Sequence, residues 1–147
     1  MANKINWDSS PAITAYLTTE LNTLASAARV IGAAIDDTAN LNMYMDVEVV
    51  LAEQSSTRTA GCHIAVYLVT SIDGTNYGYG DASVQPPASS LVAALPVDAA
   101  VTARRLTSKP FLVPPGKWKL VIENNTGYAL AATGNTAGYR VYSEEIQ

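Results

Sequence analysis

From Leu41 to Leu51 the side chains alternate. Met43, Met45, Val47, Val49 and Leu51 fall on one side of an extended backbone, and Tyr44, Asp46 and Glu48 on the other. A period of two is the pattern of a half-buried antiparallel strand and cannot form one face of a helix. The pattern recurs at Lys117–Glu123, with Trp118, Leu120 and Ile122 inward. It also recurs at Cys62–Thr70, where Cys62, Ile64, Val66 and Leu68 oppose His63, Ala65, Tyr67 and Val69.

The other segments read as shorter strands between turn residues. Arg29–Ile35 is a strand closed by Asp36, Asp37 and Asn40, and Val97–Leu106 another, with Arg104 and Arg105 outside. Pro114-Pro115-Gly116 and Asn124-Asn125-Thr126-Gly127 are turns, and YALAATG and GYRVYSEEI are closing strands. Leu17, Leu21 and Leu24 recur at helical spacing, so residues 18–28 are read as at most one short turn of helix, or as an irregular edge. Residues 1–10 form a polar N-terminal arm ending before Pro11, and residues 11–147 one domain. Gly78–Pro96 is read as a long irregular loop, of the kind that is functional or mobile. About eight short strands with turns between them give an all-β, antiparallel two-sheet sandwich of jelly-roll type.

Composition narrows the function. Charged residues make up 15% of the chain, below the roughly 25% usual for globular proteins. A weakly charged surface of small residues suits a protein that lies against other protein. The net charge of −4 argues against a general nucleic-acid partner, which requires a basic patch. No apolar run reaches the length of a membrane helix, and the N-terminus lacks a signal peptide's apolar stretch, so no membrane partner and synthesis in a cytoplasm are expected. A single cysteine, Cys62, permits no intrachain disulfide and no thiolate cluster, and it reads as a buried small hydrophobe.

The candidate contact residues concentrate between Ala65 and Asp81, AVYLVTSIDGTNYGYGD. An apolar strand here runs into Asp73-Gly74, a hairpin signal. The loop then displays Asp73, Asn76, Tyr77, Tyr79 and Asp81. Tyr77 and Tyr79 are either anchors for a partner or cover for a sheet edge. Trp7 must bury against the domain or against a neighbouring subunit. Pro86 and Pro87, in the long loop, complete the candidate interface. Asp73, Asn76 and Asp81 also offer oxygen ligands, but their spacing lacks an EF-hand's fixed positions, and Asp73 is better explained by turn geometry.

Four segments in order, LNTLASAARVIGAAIDDT, LNMYMDVEVVLAEQSS, HIAVYLVTSIDGTNYGYGD and PFLVPPGKWKLVIENNTG, resemble a family of small tailed-bacteriophage virion proteins. These are jelly-roll capsid cement or decoration proteins, and the likeness runs over roughly residues 20 to 145. The resemblance implies a non-enzymatic protein on the outer surface of the virion, made in the host bacterial cytoplasm. Its partners would be the major capsid protein and other copies of itself, as dimer or trimer, with no cofactor or metal.

Two other classes of function are compatible with such a fold. A carbohydrate-binding jelly-roll module of a phage head fibre or receptor-binding protein would use Tyr77, Tyr79 and Asp73 as a sugar platform. An enzyme would have to build its site from little. His63 is the only histidine and lies within a strand, with no nucleophile elbow near it. A glycosidase pair would come from Asp46, Glu48, Asp73 and Asp81. Asp46 and Glu48, roughly 7 Å apart along one strand face, read instead as a solvated stripe paired with Arg104 or Lys119.

Overall fold

The computed structural model describes residues 5–7 and 11–146. These fold as an all-β antiparallel sandwich, jelly-roll-like, whose only helical piece among the described residues is a 3-10 turn at Ala88–Ser90. The strands are β1 (Ile5–Trp7), β2 (Thr14–Leu17), β3 (Arg29–Ile31), β4 (Ile35–Asp36), β5 (Tyr44–Leu51) and β6 (His63–Ser71). They continue with β7 (Leu91–Pro96), β8 (Arg104–Thr107), β9 (Phe111–Leu112), β10 (Lys117–Asn125), β11 (Thr136–Tyr142) and β12 (Glu144–Ile146). One sheet has the order β3-β10-β6-β7 with β4 also on β10; the second has the order β2-β11-β5-β8 with β9 also on β5. A separate two-stranded ribbon joins β1 to β12.

The alternating stripes meet between the sheets. Met45, Val47, Val49 and Leu51 face Ile64, Val66, Trp118, Leu120 and Ile122, and each of these is at most 1% exposed. Cys62 is buried and unpaired. Met43 escapes the stripe: it lies before the first β5 pair and is exposed.

One open alternative for local structure is decided and two expectations are corrected. Residues 18–28 are turns, not helix. Thr23 and Ala27 take positive φ, and backbone groups that a helix would use internally are taken by neighbours: Thr23 N–H donates to Ala131 C=O, Ala27 N–H to Asn124 C=O, and Leu24 C=O accepts from Leu130 N–H. The Asn124 side chain also donates to Leu24 C=O, at 2.8 Å. Residues 128–134, expected as a strand, form the other side of this loop cluster. Within Gly78–Pro96, Leu91–Pro96 is strand β7, which pairs along β6.

The single strand expected at 29–35 is split by a tyrosine. The Tyr16 hydroxyl donates to Leu120 C=O at 3.0 Å and accepts Leu120 N–H at 2.9 Å and Gly32 N–H at 3.1 Å. It thus stands where a strand residue opposite Leu120 would stand, between the β3 and β4 pairs. A Cβ on Gly32 would lie 2.4 Å from the ring, so only glycine permits the approach. Burial pushes the hydroxyl's pKa up to about 12.

Candidate docking surfaces

The outer faces of the two sheets differ. Strand β6 is buried on both sides: its outward residues Ala65, Tyr67 and Val69 form a second cluster with Val121, against which Ile31 and Tyr77 pack. The cover is the chain's own loop. Arg29 bonds Gln85 Oε1 at 2.5 Å and Glu123 at 3.3 Å, Tyr67 O–H donates to Glu123 at 2.8 Å, and Gln85 Nε2 donates to Tyr67 and Glu123. Glu123 is thereby buried with three donors, which the low-dielectric setting requires. Burial, then the adjacent carboxylate, raises the Tyr67 pKa.

This explains several residues singled out from sequence. Tyr77 is half-buried on that cluster, with the Lys119 ammonium 4.2 Å over its ring. Pro86 is not a contact residue of the free surface: it is buried against Gly80. Pro87 is exposed, as is Tyr79 at 74%. One face of Tyr77 is thus taken by lysine, while the Tyr79 ring stands in water.

Asp73 does not close a two-residue hairpin, since β7 returns only after the covering loop. Its carboxylate organises the turn instead, accepting Thr75 N–H at 2.8 Å and Asn76 N–H at 2.7 Å, the Asn76 side chain at 2.7 Å and the Ser71 hydroxyl at 3.1 Å. Those bonds, the Asn76 backbone first, hold its pKa far below the usual carboxylate range. Asp81 serves its own turn through Ser83 and Val84 N–H. Among the described residues no three His, Cys, Asp or Glu side chains gather as a metal-holding group. His63 is half-buried, with Nε2 3.5 Å from the Asn125 amide.

Because Asp73 is better solvated by its turn than by the unfolded chain, the unfolded state binds more protons at low pH. Its contribution is present above about pH 4, the unfolded aspartate value. It is lost as pH falls through the lower folded value. An Asp73→Ala variant is expected to show a shallower loss of urea midpoint below pH 4 than the parent chain. Parallel acid limbs would refute this.

At the end of the sandwich where this turn lies, apolar side chains stand in water. Ile72, at the tip, is fully exposed, and Leu41 is 56% exposed. Two open grooves of about 650 Å³ each share Pro114 and Pro115 as a wall; one carries Ile72, Asp73 and Thr38, the other Leu41, Met43 and Leu112.

On the second sheet's outer face, among the described residues, the β1-β12 ribbon takes the place of such a loop. Trp7 packs edge-on against Tyr44 and Tyr142, with centroids at 5.3 and 5.6 Å, and the two tyrosines stack at 5.8 Å. Yet Trp7 remains 60% exposed and Ile5 69%. The expected arm therefore forms strand β1 in its described part; Asn3 and Lys4 lie outside the described residues. Asp46 and Glu48 do share this face, but their partners are Arg140 and Arg105, not Arg104 or Lys119. Asp46 accepts Arg140 Nε at 2.6 Å and the Tyr142 hydroxyl at 3.2 Å, and Arg105 meets Glu48 at 3.2 Å. Arg104 pairs with Asp98. Beside these pairs is a depression of about 360 Å³ between Ile13 and Pro110, floored by Gly138, whose Cβ would lie 2.6 Å from Ile13 Cγ2.

No protein-family model matches the chain, and neither does any curated protein. The functional reading therefore comes from these surfaces and from the residues of the chain itself.

Sequence reasoning missed Arg140, Tyr142 and Arg58. The first two alternate outward in TAGYRVY, a legible signal, but which strand they face depends on register. Arg58 sits in a polar connection that carries no such signal.

Proposed function

We propose that this chain is a non-enzymatic virion protein, a capsid cement or decoration protein that binds the outside of an icosahedral phage head and clamps neighbouring major-capsid subunits. The observation that carries the docking role is Ile72, wholly exposed on a turn that Asp73 holds rigid, beside the grooves walled by Pro114 and Pro115. A rigid turn presenting apolar area is preorganised, so little ordering entropy opposes binding. Large apolar side chains exposed beside such grooves are a common mark of interaction sites. Support for a capsid as the partner comes from the ordered likeness of four segments to phage decoration proteins. Binding the assembled lattice and not its dissociated subunits would stabilise the shell by mass action, and many copies would add avidity.

Purified protein mixed with phage heads lacking it is expected to co-sediment with them and to raise their resistance to heat. The double variant Leu41→Asp/Ile72→Asp is expected to bind at least about tenfold more weakly, since each apolar side chain contributes about 1.5 kcal/mol or more when buried. Its urea midpoint should stay near that of the parent, because both positions are exposed. Heads that neither retain the protein nor gain heat resistance would overturn the proposal.

A further inference from the structure

We infer that the groove between residues 53–56 and 128–132, at the end of the sandwich away from Ile72, binds a primary ammonium carried on an apolar stem. The inference goes beyond the docking role of the Ile72 end and does not depend on it. Strand β10 runs from Lys117, opposite Ser71, to Asn125, opposite His63, so the loop that follows it lies at that far end. Strand β11 returns from the loop with Thr136 beside Val50, which brings the residues after Leu51 to its other side. Between them is a groove of about 410 Å³, in the size range of small-ligand sites.

The walls are held before any ligand arrives. Asn135, wholly buried, accepts Ala52 N–H at 3.0 Å and donates to Ala131 C=O at 2.7 Å, so one side chain fixes the spacing of the two loops. Thr23 N–H donates to Ala131 C=O and Leu130 N–H to Leu24 C=O on one side, and Gln54 N–H to Val101 C=O on the other. Tyr128 is presented by a fixed turn. Its C=O accepts the Asn124 amide at 2.8 Å and the Thr126 hydroxyl at 3.1 Å, while the residue stays 48% exposed. Preorganisation of this kind lowers the ordering cost of binding.

The groups that lack partners here are acceptors. Gln54 lines the groove and is 8% exposed. Its Nε2 donates to Ser56 C=O at 2.7 Å, which fixes the amide, and its Oε1 has no partner among the described residues. A buried acceptor left unmatched is costly, so it points to a donor from outside the chain. The adjacent Glu53 is exposed and, among the described residues, in no ion pair. No Lys, Arg or His lines the groove. An ammonium answers each of these groups. Its N–H groups donate to Gln54 Oε1 and the Glu53 carboxylate, its charge lies against the Tyr128 ring, and its methylenes run along Ala129 and Ala132. An anion would meet only acceptors. A metal ion lacks ligands, since Glu53 is the one carboxylate lining the groove. A sugar ring is too broad for a recessed acceptor, which a slender stem reaches.

Isothermal titration calorimetry on the full chain tests this with 1,5-diaminopentane, Nα-acetyl-lysine methylamide, 1-pentanol and glucose. Both amines are expected to bind at a single site, and more weakly as salt is raised. Pentanol, which keeps the stem and loses the charge, should bind at least about tenfold more weakly. Glu53→Gln and Tyr128→Ala should each weaken amine binding about fivefold or more without moving the urea midpoint, since both positions are exposed. Gln54→Leu should weaken it as well; should that chain fail to fold, the two exposed variants carry the test. A lysine derivative bound as tightly as the diamine marks a protein side chain as the natural source, and preference for the diamine marks a free polyamine. Silence with both amines would overturn the inference. So would pentanol or glucose bound as tightly as the amines, or amine binding indifferent to Glu53→Gln and Tyr128→Ala.

Discussion

Arg58→Met is expected to destabilise the chain by roughly 4 kcal/mol, among the largest effects of any single substitution. The side chain is 1% exposed and donates to three backbone carbonyls: Ala100 at 2.9 Å, Thr102 at 3.0 Å and Ala52 at 3.3 Å. Burial lowers its pKa without discharging it, and Asp98 opposes the shift. Replacing a buried ion pair with apolar residues is often harmless because both partners go. Here the partners are main-chain carbonyls that no substitution can remove, and each would be stranded at a cost of about 1–3 kcal/mol. Lysine keeps the charge but lacks the planar fork, so Arg58→Lys should recover less than half the loss. Urea midpoints for the two variants decide it. A methionine variant within about 1 kcal/mol of the parent would show that Arg58 does not tie the 52–58 and 100–102 loops together.

Tyr16→Phe is expected to cost about 3 kcal/mol although it removes a single oxygen. That oxygen bonds Leu120 at both its N–H and its C=O, and Gly32 at its N–H, so the ladder between β3 and β4 has no other closure. Phenylalanine keeps the ring against Tyr139, and the loss isolates the hydroxyl. The pH dependence carries the same signature. The folded hydroxyl titrates near 12 against an ordinary 10.0, so the folded state holds its proton longer. The contribution is full below pH 10 and is lost as pH rises towards 12. In Tyr16→Phe the alkaline fall of stability should be visibly shallower, the remainder including Tyr67, Tyr139 and Tyr142, whose pKa values burial also raises. An unchanged alkaline limb would refute the assignment.

Both residues lay outside the reach of pattern reading, and the reason is physical. Arg58 sits in a polar stretch, Glu53–Gly61, where an arginine ordinarily belongs in solvent; its burial is set by loops more than forty residues away in sequence. The same holds for the surfaces. Asp46 and Glu48 were legible as one acidic stripe, but their partners, Arg140 and Arg105, depend on the registers Asp46↔Arg140 and Glu48↔Thr107. Pro86 and Tyr77 are legible as loop residues. That this loop folds back as a lid on the β6 face could not be read from them.

The architecture is legible in the residues alone: two antiparallel layers, the Met43–Leu51 stripe (Met43 excepted, which is exposed) and the Trp118–Ile122 stripe between them, a buried lone cysteine, and a turn at Asp73-Gly74. Those properties follow from alternation and turn chemistry, which act between residues a few positions apart. Long-range contacts alone settle that residues 18–28 are turns, that Tyr16 interrupts a strand, and that a loop lids one outer face while the β1-β12 ribbon packs on the other. Each of these turns on backbone groups whose partners lie far away in the chain, where short-range preference has no hold.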